Sequence, residues 1–506
     1  MAAVVTNQTK FQQAEKLFGD VGRQYTVLND SDGSETTSGI TFLTLTDSAN
    51  ADQAGLSNVT YPAVYRGKVN TYYAAIGRTQ DWNDSDAAPS PGVNDREGRK
   101  ARYDLTGVKK ISDYKFVIPR YNWSTGTTYS GYDDNTTGYP TNAYYVLTDE
   151  NNVYMCLQAA KNNAGTVQPS TIKPTGTATT ALDTGDGYRW KFLYSIDATN
   201  ANKYLAANYM PVEFVTDSAL DPTLTAAQQQ QKTIQNAAVK GRIINIQLDS
   251  GGTGYTSAPS VTIYGDGSSA AATATLSGTS VSKVELGAYD SGGSGYKQVS
   301  VAFSGGGSPT KPAKARAVLG AEGGPGADPR KDLKASSVMF NVQPAGNNNG
   351  TWVVGNDFRQ VAVLKNPLKP GQDSADAYKH ESSFFTGADG NAAKAMKVGI
   401  STEFVVDGLI TGGTSGAKAY LDSCPSGTGD KTLKFHKNET TGFVAFQVGE
   451  TITGSLGGSG TISTLGDSAG ARDVDPMTGD LLYIDDRAAV TRTESQTEDL
   501  KIVITL

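Results

Sequence analysis

The final residues 479–506, GDLLYIDDRAAVTRTESQTEDLKIVITL, constrain the fold of this chain more than any other stretch. Leu500, Ile502, Ile504 and Leu506 alternate with Lys501, Val503 and Thr505, the period of a half-buried strand. An aliphatic, β-branched ending left loose would invite edge-to-edge association. It is therefore expected to pair inside a sheet and close a core begun hundreds of residues earlier. Upstream, Leu481 to Ile484 read as a second apolar run, Asp485-Asp486-Arg487 as a charged turn, and Gln496 to Asp499 as the polar lead into the last strand. This is structural cement, without the marks of a catalytic loop.

A length of 506 residues implies about three domains and ample material for a core. Glycine supplies 57 residues, well above an average usage of about 7%. With abundant Thr, Ser and Tyr, that favours short strands joined by tight turns. A formal charge of −7 is mild and dispersed, so neither nucleic acid nor an acidic membrane is expected as a partner. Cys156 and Cys424 lie too far apart in sequence to form a disulfide framework and read as small buried residues. The start of the chain lacks the charged and apolar regions of a signal peptide, and no apolar run is long enough for a membrane span. Synthesis in a cytoplasm and a soluble product are the expectation.

Thr9 to Gly22 is the clearest helix, with Phe11, Ala14, Phe18 and Val21 on one face, Leu17 beside them, Asn7 or Thr9 as cap and Gly22 as stop. The polar stretch from there to about Asn70 carries no assignable pattern. Apolar runs follow at Thr71–Trp82, Tyr114–Trp123, Ala143–Leu157 and Gly185–Ile196. In the third, Asp149 to Asn152 read as a hairpin loop; in the fourth, Tyr188, Trp190, Phe192 and Tyr194 alternate.

Two duplications interrupt this style. Gly251-Gly252-Thr253-Gly254-Tyr255 with Val261 to Ile263 returns as Gly292-Gly293-Ser294-Gly295-Tyr296 with Val299 to Val301. Phe404 to Gly412 (FVVDGLITG) returns as Phe446 to Gly454 (FQVGETITG). Each pair reads as a small inserted β module. The expected organisation is a core over residues 1–239, 321–397 and 468–506, with modules at 240–320 and 398–467. The expected class is mainly β: a layered β-sandwich core with an N-terminal helix and helical excursions, interrupted by two small duplicated β modules.

Catalytic constellations are scarce. His380 and His436 are the two histidines and their spacing excludes a histidine-rich metal site. Gly412 to Lys418, GGTSGAK, resembles a phosphate loop but lacks its adjacent Gly-Lys-[Ser/Thr], because Ala417 intervenes. The GGTGYT element has no βαβ unit around it to make a dinucleotide fingerprint. Asn29 to Glu35, NDSDGSE, has Leu28 where a calcium loop needs its first acid; a solvated turn is expected. Asp485 with Asp486, or Asp133 with Asp134, are the acid pairs a glycan-cleaving enzyme would offer, though adjacent side chains on a strand point apart. Trp82, Trp123 and Trp190 are expected in packed sheets, whereas Tyr129, Tyr132 and Tyr139, beside turns, suit a protein interface.

Separated blocks, in order along the chain, carry a resemblance. They are the helix Phe11 to Gly22; Ile76-Gly77-Arg78 with Trp82; Val117 to Arg120, including Pro119 and Arg120, with Trp123; Asp186-Gly187-Tyr188 with Trp190; Arg359-Gln360 with Asn366-Pro367-Leu368; and Ile484 to Arg487 with Gln496-Thr497-Glu498, Asp499 and Ile502. In these the chain resembles the baseplate wedge proteins of T-even-type contractile-tailed bacteriophages, in particular the wedge subunit present as a dimer. The two duplicated modules lie outside the resemblance. It implies a layered β-sandwich, no catalysis, no cofactor, a homodimer, and a virion protein that joins neighbouring wedge subunits around the tail hub. It also implies structural or interface roles for Arg78, Trp82, Pro119, Arg120, Trp123, Trp190, Arg359, Asn366, Arg487 and Gln496. The other class of function is a virion-associated glycan-binding or glycan-cleaving tail protein, with the modules as carbohydrate-binding units.

Overall fold

The computed structural model describes residues 7–18, 27–28, 35–36, 70–92, 94–136, 138–139, 143–216, 224–348, 350–372 and 383–505. The expectations placed on Val21, Gly22, residues 29–34, His380 and Leu506, and on the side chains of Asn7, Leu17 and Phe18, fall outside the described residues. Strand accounts for 41% of the structure and helix for 11%, so the fold is mainly β, built from antiparallel sheets and a small barrel. Two compact units form, one from residues 1–17, 115–340 and 501–506, the other from 18–114 and 341–500.

The first unit is organised on the tyrosine-rich runs. Its sheet orders Tyr145–Leu147, Asn152–Gln158, Arg189–Ser195 and Leu182–Asp183, with Asn151 in the left-handed region (φ 60°) at the hairpin loop. Helix Ala226–Asn236 packs on Arg189–Ser195, so that strand is buried on both faces. The alternation of Tyr188, Trp190, Phe192 and Tyr194 therefore does not mark one wet face; Arg189 and Lys191 are buried between them. A second sheet orders Tyr209–Pro211, Tyr114–Pro119, Ser337–Val342 and Leu500–Thr505. The last strand thus pairs at an edge rather than inside a sheet: Leu500 and Ile502 are buried and Ile504 only partly so. In the helix Asn7–Phe18, Phe11 stacks on Phe116 at 5.3 Å between ring centroids, with the Arg330 guanidinium over it at 5.1 Å.

The first duplication becomes strands β1 (Ile243–Ser250), β2 (Ser260–Gly265), β3 (Ala272–Ser277), β4 (Ser280–Leu286), β5 (Val299–Ser304) and β6 (Lys314–Leu319). The copies do not fold side by side. β1 pairs with β6, β2 with β5 and β3 with β4, all antiparallel, so each copy completes the other about a pseudo-two-fold axis. The glycine turns are equivalent too. Gly252 and Gly293 have φ of 63° and 62°, and a Cβ would meet the Lys311 carbonyl oxygen at 2.3 Å or that of Ser268 at 2.1 Å. Tyr255 and Tyr296 then enter the shared core.

The second unit holds a five-stranded sheet ordered Asp389–Asn391, Leu105–Ile111, Tyr72–Gly77, Asp357–Lys365 and Asp480–Thr491. Asp485, Asp486 and Arg487, expected in a turn, lie inside its last strand, with Asp485 opposite Val361 and Asp486 opposite Gln360. An edge strand leaves one side open, which is where charged residues are tolerated in a ladder. The second duplication becomes β7 (Lys394–Thr402), β8 (Leu409–Gly412), β9 (Lys418–Ser423), β10 (Gly429–His436), β11 (Thr451–Gly454) and β12 (Ser459–Leu465), closed as a barrel. β7 pairs with β12, β8 with β11 and β9 with β10, the scheme of the first module; added β7–β10 and β11–β12 pairings close the ring. Ile400, Phe404, Phe446 and Ile452 fill its core.

Candidate functional site

Four of the ten singled-out residues meet in the second unit. Strand Tyr72–Gly77 ends at Arg78, held at φ 62°. Its guanidinium donates to Asp104 at 2.9 Å and to the Asp81 carbonyl at 3.0 Å, and lies 3.9 Å from the Trp82 ring centroid. The Trp82 indole N–H reaches the Arg487 carbonyl at 2.9 Å. Arg359, only 6% exposed, pairs with Asp86 and Asp81 at 2.7 Å and Asp357 at 3.2 Å, and donates to the Thr79 carbonyl. The hydrogen bond from Arg359 holds the Asp86 carboxyl below its ordinary range. Together these contacts pin the loop 78–87. The Arg487 side chain is half exposed, 3.9 Å from Asp485.

The other six sit elsewhere and bind backbone or fill cores. Asn366, at φ 52°, accepts the Thr71 N–H at 2.8 Å, and the Gln496 carbonyl accepts from Gly346 at 2.7 Å. Pro119 accepts the Tyr145 hydroxyl at 2.8 Å, Arg120 donates to Ala206 at 3.1 Å and Trp123 to Ser170 at 3.2 Å. Trp190 is fully buried between Tyr188, stacked at 5.6 Å, and Tyr129, edge-on at 5.5 Å. Tyr129 and Tyr132 are buried core residues, which corrects their reading as interface tyrosines; Tyr139 donates to the Lys334 carbonyl at 3.2 Å.

The weaker motifs resolve in the same direction. Asp133 and Asp134 are both engaged by Arg316, at 2.6 and 3.1 Å. The loop of GGTSGAK does bind an anion, and that anion is its own chain: Glu450 accepts the N–H groups of Thr414 and Ser415 at 3.1 and 2.9 Å. Burial pushes that carboxyl up, but backbone donors from Ser415, Gln447 and Thr414 outweigh it and lower its pKa. Among the described residues no group of three His, Cys, Asp or Glu side chains is placed to hold a metal.

Sequence reasoning missed a buried polar cluster around His436. Its Nδ1 lies 2.7 Å from Asp422, and its Nε2 lies 3.0 Å from Gln80 Oε1 and 3.5 Å from Asp104. Asp422 also accepts the Thr79 hydroxyl at 3.2 Å, and Asp104 accepts Asn438 at 2.9 Å. The cluster thus ties β9 and β10 of the barrel to the turns flanking the five-stranded sheet. Burial pulls the His436 pKa down, but the charge and hydrogen bond of Asp422, with Asp104, raise it on balance. Burial raises Asp422. A His–Asp pair suggests acid–base catalysis, yet both side chains are buried, His436 at 3% and Asp422 at 0% exposure. It is a cross-link. No pattern in the sequence marks it, because Asp422 stands in a strand that also carries Lys418 and Ser423.

Comparison with known families and with curated proteins finds no match for this chain.

Proposed function

We propose that the protein is a structural assembly protein of a contractile-phage tail baseplate, a wedge subunit linking neighbouring wedge proteins around the hub. One observation supports this most: the ten family-motif residues pin loops and fill cores, and Arg78, Trp82, Arg359 and Arg487 converge on one loop. That is scaffold chemistry, which fixes surfaces and needs no substrate space. In this reading the chain works as a homodimer in the virion, without nucleotide, metal or bond-making chemistry, and meets neither nucleic acid nor membrane. No described helix is long and apolar enough to cross a membrane. Size-exclusion chromatography with light scattering tests the pairing. Mixing with purified wedge proteins, with and without chelator, tests the assembly; a monomer that ignores those proteins refutes it.

The glycan reading keeps one observation. A cleft of about 430 Å³ lies between the tyrosine-rich core and the first module, lined by Gln158, Lys161, Gln247 and Glu285 among others. Its only ring is Tyr144, which is buried, so it lacks the exposed aromatic platform on which sugars stack. A glycan array with the intact protein separates the readings.

A further inference from the structure

The barrel departs from its own internal symmetry at one place. The connection from β7 to β8 takes residues 403–408, whereas that from β10 to β11 takes residues 437–450. Phe404 and Phe446 are equivalent in the repeat and both enter the core, so the surplus lies ahead of Phe446. Closure of the barrel needs only what the shorter copy supplies. The surplus nevertheless exposes apolar side chains: Phe443, with its ring 5.0 Å from that of Tyr103, is 56% and Val444 57% exposed. Residues 442–447 belong to no helix or strand, and the backbone N–H groups of 443–446 donate to no described residue. A segment whose backbone donors are idle can serve as the template for another strand.

Beside it lies a cavity of about 310 Å³ whose apolar wall includes Phe435, Phe446 and Leu465. Its charged margin is Lys394, Lys437 and Arg472 against the single carboxylate of Asp467. Lys437 is engaged by the Phe446 ring at 4.3 Å and by the Val444 carbonyl. Arg472 reaches Asp475 only at 3.7 Å. Lys394 has no ion pair among the described residues; burial, then the charge of Arg472, lower its pKa against the smaller opposing pull of Asp475. A partly desolvated ammonium with no direct ion pair favours a carboxylate ligand.

We propose that residues 443–446 are a docking edge for an extended acidic and apolar segment of a partner protein. That segment adds as a strand, places an aliphatic or aromatic side chain in the cavity, and sets a carboxylate against Lys394 and Arg472. The inference rests on the assembly reading for the partner's setting, while the groove itself can be measured alone.

Fluorescence anisotropy with a labelled nine-residue peptide alternating aspartate and leucine tests it, against a lysine–leucine peptide of equal length. The acidic peptide is expected to bind at least about tenfold more tightly, as charge complementarity at a rim with a buried anchor requires. Val444→Pro removes a donor that is idle in the free chain and should weaken binding about tenfold with an unchanged melting transition. Should that variant melt early, Val444→Asp reads the same edge through its side chain, and Lys394→Gln should reduce both affinity and its salt dependence. Equal binding of the two peptides, or affinity unmoved by these substitutions, overturns the proposal. Peptide binding without co-assembly with wedge proteins leaves the groove and removes the assembly reading; co-assembly without peptide binding does the reverse.

Discussion

Replacing His436 by glutamine isolates the cross-link between the barrel and the five-stranded sheet. The imidazole contacts Asp422 at 2.7 Å and Gln80 at 3.0 Å, and both carboxylates near it, Asp422 and Asp104, are buried. Removing one partner of a buried charged pair costs about 3–5 kcal/mol, because the other charge is left uncompensated. The pH dependence distinguishes this from a simple packing defect. His436 and Asp422 both have raised pKa values, so the folded pair holds its shared proton more tightly than the unfolded chain does. The histidine contribution is complete below its ordinary value of 6.5 and is lost as pH rises through the folded value. Urea unfolding of the wild type and His436→Gln at pH 6 and pH 9 measures it. The expected loss is about 3–5 kcal/mol at pH 6 and smaller at pH 9, where the imidazole no longer holds its proton. An equal loss at both pH values would refute the ionic cross-link, and a negligible loss at pH 6 would refute its structural importance.

The remaining predictions concern glycine, arginine and aspartate. Gly252→Ala and Gly293→Ala should each destabilise the first module by more than about 1 kcal/mol, because both need positive φ and meet a carbonyl, while Gly278→Ala (φ 62°, open space) should cost less; thermal melts compare them. Arg359→Lys keeps the charge but loses the fork that spans three aspartates, a loss of about 1–3 kcal/mol, and the Asp86 carboxyl titration followed by NMR should move back up. Asp332 is buried, with its pKa raised to about 8 chiefly by burial. A raised acid opposes folding increasingly as pH climbs from the ordinary carboxylate range towards that value. Asp332→Asn should therefore raise the melting temperature at pH 9 and leave it nearly unchanged at pH 4.

Much of the β architecture was legible because period-2 runs and glycine turns are local. The hairpin loop at Asp149–Asn152, the strand Tyr72–Gly77 and the glycine turns of both duplications all follow from short-range chemistry. Three things were not. Asp485 to Arg487 look like a turn because charge is read as exposure, yet an edge strand exposes its residues without bending. Burial of Arg189 and Lys191 involves segments from elsewhere in sequence: a helix packs on the strand, and Arg189 reaches the Leu286 and Gly287 carbonyls. The His436 cluster joins Thr79, Gln80 and Asp104 to Asp422 and His436, which stand hundreds of positions further on, so no spacing could announce it. The motif residues were visible individually, but their convergence on the loop 78–87 depends on pairing of distant strands.

The two modules apply one pairing scheme to different ends. In both, the first strand of each copy pairs with the third of the other and the second strands pair together. Neither copy satisfies its own backbone, so a lone copy would expose the donors and acceptors that its twin now occupies. In the first module β1 and β4 pack together without pairing, and the ring stays open. In the second, β7 and β10 pair and no strand edge remains in the ring. A closed barrel has removed the aggregation hazard from its strands. Exposed Val405, Phe443, Val444, Val448 and Leu456 all belong to its connections instead. The large apolar side chains that the barrel exposes thus sit in loops whose length the fold does not dictate, and the longest of them, 437–450, holds the stretch 443–446 whose N–H groups have no partner among the described residues.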